Sequence, residues 1–238
     1  LLSSKKRSDV GVSAGSANIA SFLGRQKGRN YQFYLEYTFR KQYMSLHNLL
    51  HTGSYIDMDY VYGKLSCLSG ENPLNFEVLQ KSHSVMKVVA MNALTGKPTY
   101  FDKSDMAQDH YHILEASSSI PLVCRPYFVR GIPYYDGGIA DPVPIEKPFR
   151  DGCTKIAVIL TKPLDTVRLQ KKDAPFARLL RRRYPKAADS LLLRYQKYND
   201  GVALAKQYAE QGKVLMIAPD SCCGMRTLTK SRARMEQM

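Results

Sequence analysis

Tryptophan is absent from this chain, histidine stops at His112, and no apolar run approaches the roughly 20 residues that span a bilayer. The last of these argues against a transmembrane helix within the sequence. Cysteine is sparse and unpaired: Cys67, Cys124, Cys153, Cys222 and Cys223 include no C-x-x-C spacing. That argues against a disulfide framework and a structural zinc site, and it suits a reducing compartment. Acidic residues are in deficit, 21 Asp+Glu against 35 Lys+Arg, for a formal charge of +14. Such an excess favours an anionic partner, either nucleic acid or a membrane surface. No recognised nucleic-acid-binding motif accompanies the charge, so no nucleic acid is expected. Leu1-Leu2 leads straight into Ser3-Ser4-Lys5-Lys6-Arg7, which is no signal peptide. The expected location is cytoplasmic, with peripheral attachment to a membrane.

What is present suits a folded domain. The chain has 238 residues, 44% of them hydrophobic and 24% charged, enough for one large domain with a sizeable core. Its organising stretch is Gly11-Val12-Ser13-Ala14-Gly15, a G-x-S-x-G pattern that sets a serine on a sharp turn between strand and helix. A serine presented for attack sits in a strained conformation, and side chains two residues either side are expected to collide across the turn. Glycine at 11 and 15 removes them, and Ala14 leaves the hydroxyl open. Ile19, Ala20, Phe22 and Leu23 continue as a helix with Gly24 as its stop. Ser13 then lies at a helix N-terminus, where free N–H groups favour developing negative charge. Only Val10 and Val12 are apolar before the serine, so the strand entering the turn is short.

Further along, Tyr31, Tyr34, Leu35, Thr38 and Phe39 share one helical face, and Met44 to Leu50 begins a second short helix. His47 and His51, four apart, lack the Glu or Cys that would complete a metal set, and no metal is expected. Asp57 to Leu65 reads as helix and Ser69 to Pro73 as loop. Ser84 to Asn92 reads as a strand, paired through a turn at Thr95 to Pro98 with Thr99-Tyr100-Phe101. His110 to Glu115 is helical and runs into Ala116-Ser117-Ser118-Ser119-Ile120-Pro121, whose small residues suggest close packing before Pro121 ends the helix. Tyr127 to Tyr135 is a hairpin turning at Arg130-Gly131, followed by Asp136-Gly137-Gly138. Pro142-Val143-Pro144 leads to a short helix. Lys155 to Leu160 reads as a strand buried on both faces, as in a parallel sheet. Ala187 to Gln211 reads as one long helix, Val214 to Pro219 as a last strand, and Thr227 to Met238 as a basic end piece. Alternating strands and helices indicate an α/β fold.

A serine hydroxyl needs a group to take its proton. Hydrolases with this elbow ordinarily place a histidine late in the chain, and none is there. A Ser–His–Asp esterase remains open through His110 or His112. The other possibility is direct action by Asp136, which two glycines bring close to another segment.

The elbow, the Ala116–Pro121 stretch, Tyr134-Tyr135-Asp136-Gly137-Gly138 and Pro142-Val143-Pro144 before an apolar strand occur in a fixed order. In this the chain resembles the patatin-like phospholipases, most closely their bacterial branch, over residues 9 to 162. The resemblance implies an α/β three-layer sandwich with a central, mostly parallel sheet. It also implies a Ser–Asp dyad in which Ser13 attacks an ester carbonyl and Asp136 is the base, with no cofactor. The implied activity is that of a serine esterase of phospholipase A or lysophospholipase type, acting on lipid esters. The family carries a glycine-rich oxyanion loop upstream of the elbow, so that loop and its strand are expected before Leu1. A homologue without the loop would be a catalytically silent lipid-binding protein. The catalytic core is expected over residues 1–163. Residues 164–238 form a basic helical extension with one further strand, as part of the same domain. Within it Arg178, Arg181, Arg182, Arg183 and Lys186 alternate with Phe176, Leu179 and Leu180, a pattern suited to an anionic membrane surface.

Overall fold

A computed structural model describes residues 7–170, 173–226 and 228–237. The readings for Leu1 to Lys6, and for Thr227 and Met238 in the end piece, lie outside them. Strand β1 (Ser8–Val12) enters the elbow and helix α1 (Ala14–Leu23) leaves it, capped at Gly24. Helices α2 (Arg29–Leu35) and α3 (Leu46–Thr52) follow, then a π-helical segment (Asp59–Leu65) and α4 (Phe76–Lys81). Next come β2 (Val85–Asn92), β3 (Pro98–Asp102), α5 (His112–Ser118), β4 (Tyr127–Val129) and β5 (Ile132–Asp136). The remainder is α6 (Glu146–Arg150), β6 (Ile156–Ile159), α7 (Ala174–Leu180), α8 (Pro185–Leu192), α9 (Arg194–Glu210), β7 (Val214–Ile217) and α10 (Arg232–Glu236).

The fold is mixed α/β, with helices on both faces of the main sheet. Alternation along β2 explains the layering. Met86, Val88 and Ala90 pack with Ala20 of α1, Leu79 of α4 and Ile113 of α5. Met91, one position on, packs instead with Tyr135, Ala187 and Leu191, which brings α8 to the opposite face. Pairing is parallel between β1 and β2 and between β6 and β7, and antiparallel between β2 and β3, β2 and β5, and β4 and β5. Short connections require two of the antiparallel pairs, β2 with β3 and β4 with β5. Arg130 and Gly131 both take positive φ, 51° and 76°, in the tight turn joining β4 to β5.

Three local expectations need correction. The helix from Tyr31 breaks at Glu36, whose backbone rotates the next turn; the buried residues are Phe33, Leu35, Tyr37 and Thr38, while Tyr31 and Phe39 are exposed. The long helix is two helices, because the Leu193 N–H also bonds to Ser190 O and tightens the chain there. Among the described residues, the strand read as doubly buried is covered on one face only, where Val158 and Leu160 pack with Val202 and Ala205 of α9. Ile159 on the other face is 75% exposed. Among the described residues no helix is long and apolar enough to cross a membrane.

Candidate active site

Strand register brings the elbow and the aspartate together. Along β2, β1 pairs from Val85 to Val89, β3 from Lys87 to Met91, and β5 from Ala90 to Asn92. Val88 pairs with both β1 and β3, and Ala90 with both β3 and β5. A strand residue offers one partner per edge, so β1 and β5 share the edge opposite β3. They run toward each other along it. Val12 ends opposite Val89 and Asp136 ends opposite Ala90, one strand step further on.

Ser13 follows Val12 at φ 54°, ψ −124°, a sparsely populated conformation for a residue with a side chain. Its N–H donates to Ser117 Oγ at 2.9 Å, and Ser117 Oγ donates to Val89 O at 2.6 Å. Two residues on, Ser119 O accepts the N–H of Asp136 at 2.8 Å. The C-terminal end of α5 thereby ties the serine, the aspartate and the middle of β2 into one unit. The Ser13 side chain makes no capping hydrogen bond at the N-terminus of α1.

The glycines differ in what they do. A Cβ on Gly11 would lie 2.5 Å from Ser16 Cα, so α1 could not pack against β1 as it does. A Cβ on Gly137 would lie 2.1 Å from Val89 O, so only glycine lets the aspartate loop meet β2. Gly138 donates its N–H to Asp136 Oδ1 at 2.7 Å and fixes the carboxylate. The collision expected at Gly15 is absent, because a Cβ there points away from the turn and meets nothing within 4 Å.

Burial raises the pKa of Asp136 above the usual carboxylate value; the Ser13 hydroxyl beside it, then the Arg194 charge, the Gly138 N–H and the Arg168 charge pull it partly back. Arg168 rests over the Tyr198 ring, 4.3 Å from its centroid, and exchanges two hydrogen bonds with Asn199. Ser13 opens onto a cavity of about 150 Å³ walled by Phe33, Tyr34, Ile56, Val61 and Tyr62.

Among the described residues, no histidine lines this cavity or hydrogen-bonds Ser13 or Asp136. His112 Nδ1 instead faces Glu115 at 3.0 Å and Tyr127 OH at 2.8 Å, and its ring lies near His110. The His47 and His51 rings stack on α3 at 3.9 Å. Arg178, Arg181, Arg182, Arg183 and Lys186 are all exposed, and Arg181 pairs with Asp189 at 2.7 Å. Of the apolar residues among them, Leu180 is buried with Ala177, whereas Phe176 and Leu179 are 50% and 53% exposed.

The model of the patatin-like phospholipase family matches residues 9–149, from β1 through α6. This chain belongs to that family. The patatin-like match takes in the elbow, α5 and the aspartate loop, and the family is one of lipid acyl hydrolases. The chain is also 28% identical over 158 residues to the uncharacterized protein YjjU of Escherichia coli (strain K12). That similarity covers 65% of this chain and 43% of YjjU, so the chain spans less than half of that relative.

Ser117 and Ser119 were visible in the sequence only as small residues suited to packing. Nothing in a Ser-Ser-Ser run says which hydroxyl turns toward the elbow. Arg29, which lines the cavity beside Ser13, carried no signal at all, since a single arginine in a polar loop reads as solvated.

Proposed function

We propose that this patatin-like protein is a lipid acyl hydrolase working through Ser13 and Asp136. The supporting observation is a strained serine beside a buried, proton-seeking carboxylate, with no imidazole between them. In this reading Ser13 Oγ bonds to the ester carbonyl carbon as its proton passes to Asp136. A pKa raised by burial suits the carboxylate to that task, because proton transfer improves as the base approaches the working pH. Negative charge forming on the carbonyl oxygen faces the uncapped N-terminus of α1, whose free N–H groups favour it. As the tetrahedral intermediate collapses, the leaving alcohol takes the proton back from Asp136. Water then attacks the acyl-serine, again giving its proton to Asp136, and Ser13 leaves with that proton.

The substrate in this reading is a glycerophospholipid or lysophospholipid at an anionic surface. The exposed cations of α7 and the turn after it supply attraction, and Phe176 and Leu179 supply apolar area for insertion. Hydrolysis of a short-chain p-nitrophenyl ester tests the chemistry. Ser13→Ala is expected to abolish turnover, and Asp136→Asn to lower kcat by roughly 10²–10⁴. A fluorophosphonate probe is expected to label Ser13. Equal rates for the native protein and Ser13→Ala refute the assignment.

A further inference from the structure

Arg29 is 8% exposed, yet it lines the same cavity as Ser13. Its Nη1 donates to Ser21 Oγ at 3.2 Å, and its Nη2 to Ser66 Oγ at 2.7 Å and Asn72 O at 2.9 Å. Its guanidinium carbon lies 4.7 Å from the Phe33 ring centroid. All these partners are neutral. Among the described residues no carboxylate pairs with Arg29, and its Nε has no acceptor. A guanidinium keeps its proton even when buried, so a full positive charge faces an otherwise largely apolar cavity without a counter-ion. Such a charge is costly to bury unless something negative meets it.

We propose that the missing counter-ion arrives with the substrate: the cavity binds an oxyanion, carboxylate or phosphate, carried a few atoms from the scissile ester, and Arg29 receives it. Cavity size sets the spacing. A volume of about 150 Å³ holds about one benzene-sized group, so at most roughly six carbons lie inside it between the ester and the anion. The aromatic and aliphatic walls suit that segment, and the unpartnered Nε, with the Nη1 hydrogen that Ser21 leaves over, offers charge-assisted donors to a carboxylate or phosphate. This deepens the acyl-hydrolase reading and rests on Ser13 as the group that meets the ester.

Calorimetric titration of the Ser13→Ala protein tests the proposal without turnover. The probes are monoethyl adipate, with an anion on the acyl side, 1-butanoyl-glycerol 3-phosphate, with an anion on the alcohol side, and the neutral diethyl adipate. At least one anionic probe is expected to bind tenfold or more tightly than the diester, and which one does so assigns the anion to acyl tail or head group. Adding Arg29→Met is expected to erase that advantage, and Arg29→Lys to keep part of it. Ala17→Phe fills the cavity while leaving the hydrogen bonds of Arg29 in place, and it serves if Arg29→Met does not fold; it is expected to erase the advantage too. Equal affinity for all three probes overturns the proposal, as does an advantage that survives a folded Arg29→Met or Ala17→Phe. Retained anion preference in a protein whose native Ser13 hydrolyses no ester leaves this site standing and removes the hydrolase reading instead.

Discussion

Replacing Gly11 and Gly15 by alanine, one at a time, separates two glycines that a motif treats as equivalent. At Gly11 the new Cβ would lie 2.5 Å from Ser16 Cα and 2.7 Å from Ser16 N, all backbone atoms that no rotamer change can move. Carbon atoms rest at about 3.5–4.0 Å, so β1 and α1 must separate by roughly 1 Å. Overpacking of that kind costs about 1–3 kcal/mol. At about 2–4 °C per kcal/mol for a chain of this size, Tm falls by about 2–12 °C. The same displacement moves Ser13 relative to Asp136, and a misplacement of about 1 Å costs on the order of 100-fold in rate. At Gly15 a Cβ meets nothing within 4 Å, and the residue is already helical. Alanine there removes backbone freedom from the unfolded chain and stabilises by about 0.5–1 kcal/mol, raising Tm by about 1–4 °C. Scanning calorimetry and p-nitrophenyl ester hydrolysis on the two variants give both readouts. Equal losses at the two positions, or native Tm and rate in Gly11→Ala, would falsify the steric reasoning.

Four other outcomes follow from the structure. The folded pKa of Asp136 lies above its ordinary 3.8, so the stability this group contributes is fully present below that pH and is lost as pH rises through the folded value. Asp136→Asn is therefore expected to raise Tm at pH 7 but not at pH 3 while turnover collapses, and a lower Tm at pH 7 counts against a desolvated carboxylate. The acid limb of the kcat/KM profile is expected at a pH above 3.8 for the same reason. Ser117→Ala strands the Ser13 N–H and Val89 O, costing about 1–3 kcal/mol, and lowers kcat more than KM; native kinetics would show that Ser117 does not position the elbow. Arg178→Ala with Arg182→Ala removes about 2 kcal/mol of attraction, or about 30-fold in partitioning onto phosphatidylserine vesicles at low salt, and unchanged sedimentation rules out this surface.

The elbow, the two hairpins and most helices were legible because each is written locally, in glycine spacing, period and turn residues. The mixed α/β class followed from their alternation. Contacts between distant segments were not. The Ser13–Asp136 contact depends on β1 and β5 sharing an edge of β2, which no single segment encodes, and it entered through a resemblance. Lys155 to Leu160 misled for the opposite reason. Its apolar run is that of a doubly covered strand, whereas a layer of helix lies on one side only among the described residues. Glu36 and Leu193 show a smaller failure, since periodicity continues smoothly through both while the backbone does not.

The shared edge of β2 makes strand length, as much as the glycines at 11 and 137, a guarded quantity in this protein. One residue inserted between Ser8 and Val12 would advance the elbow by about 3.3 Å and turn it to the far side of the sheet, and the same holds for Ile132 to Asp136. The loops between these strands can lengthen freely, because both tips are measured against the same ruler and not against each other.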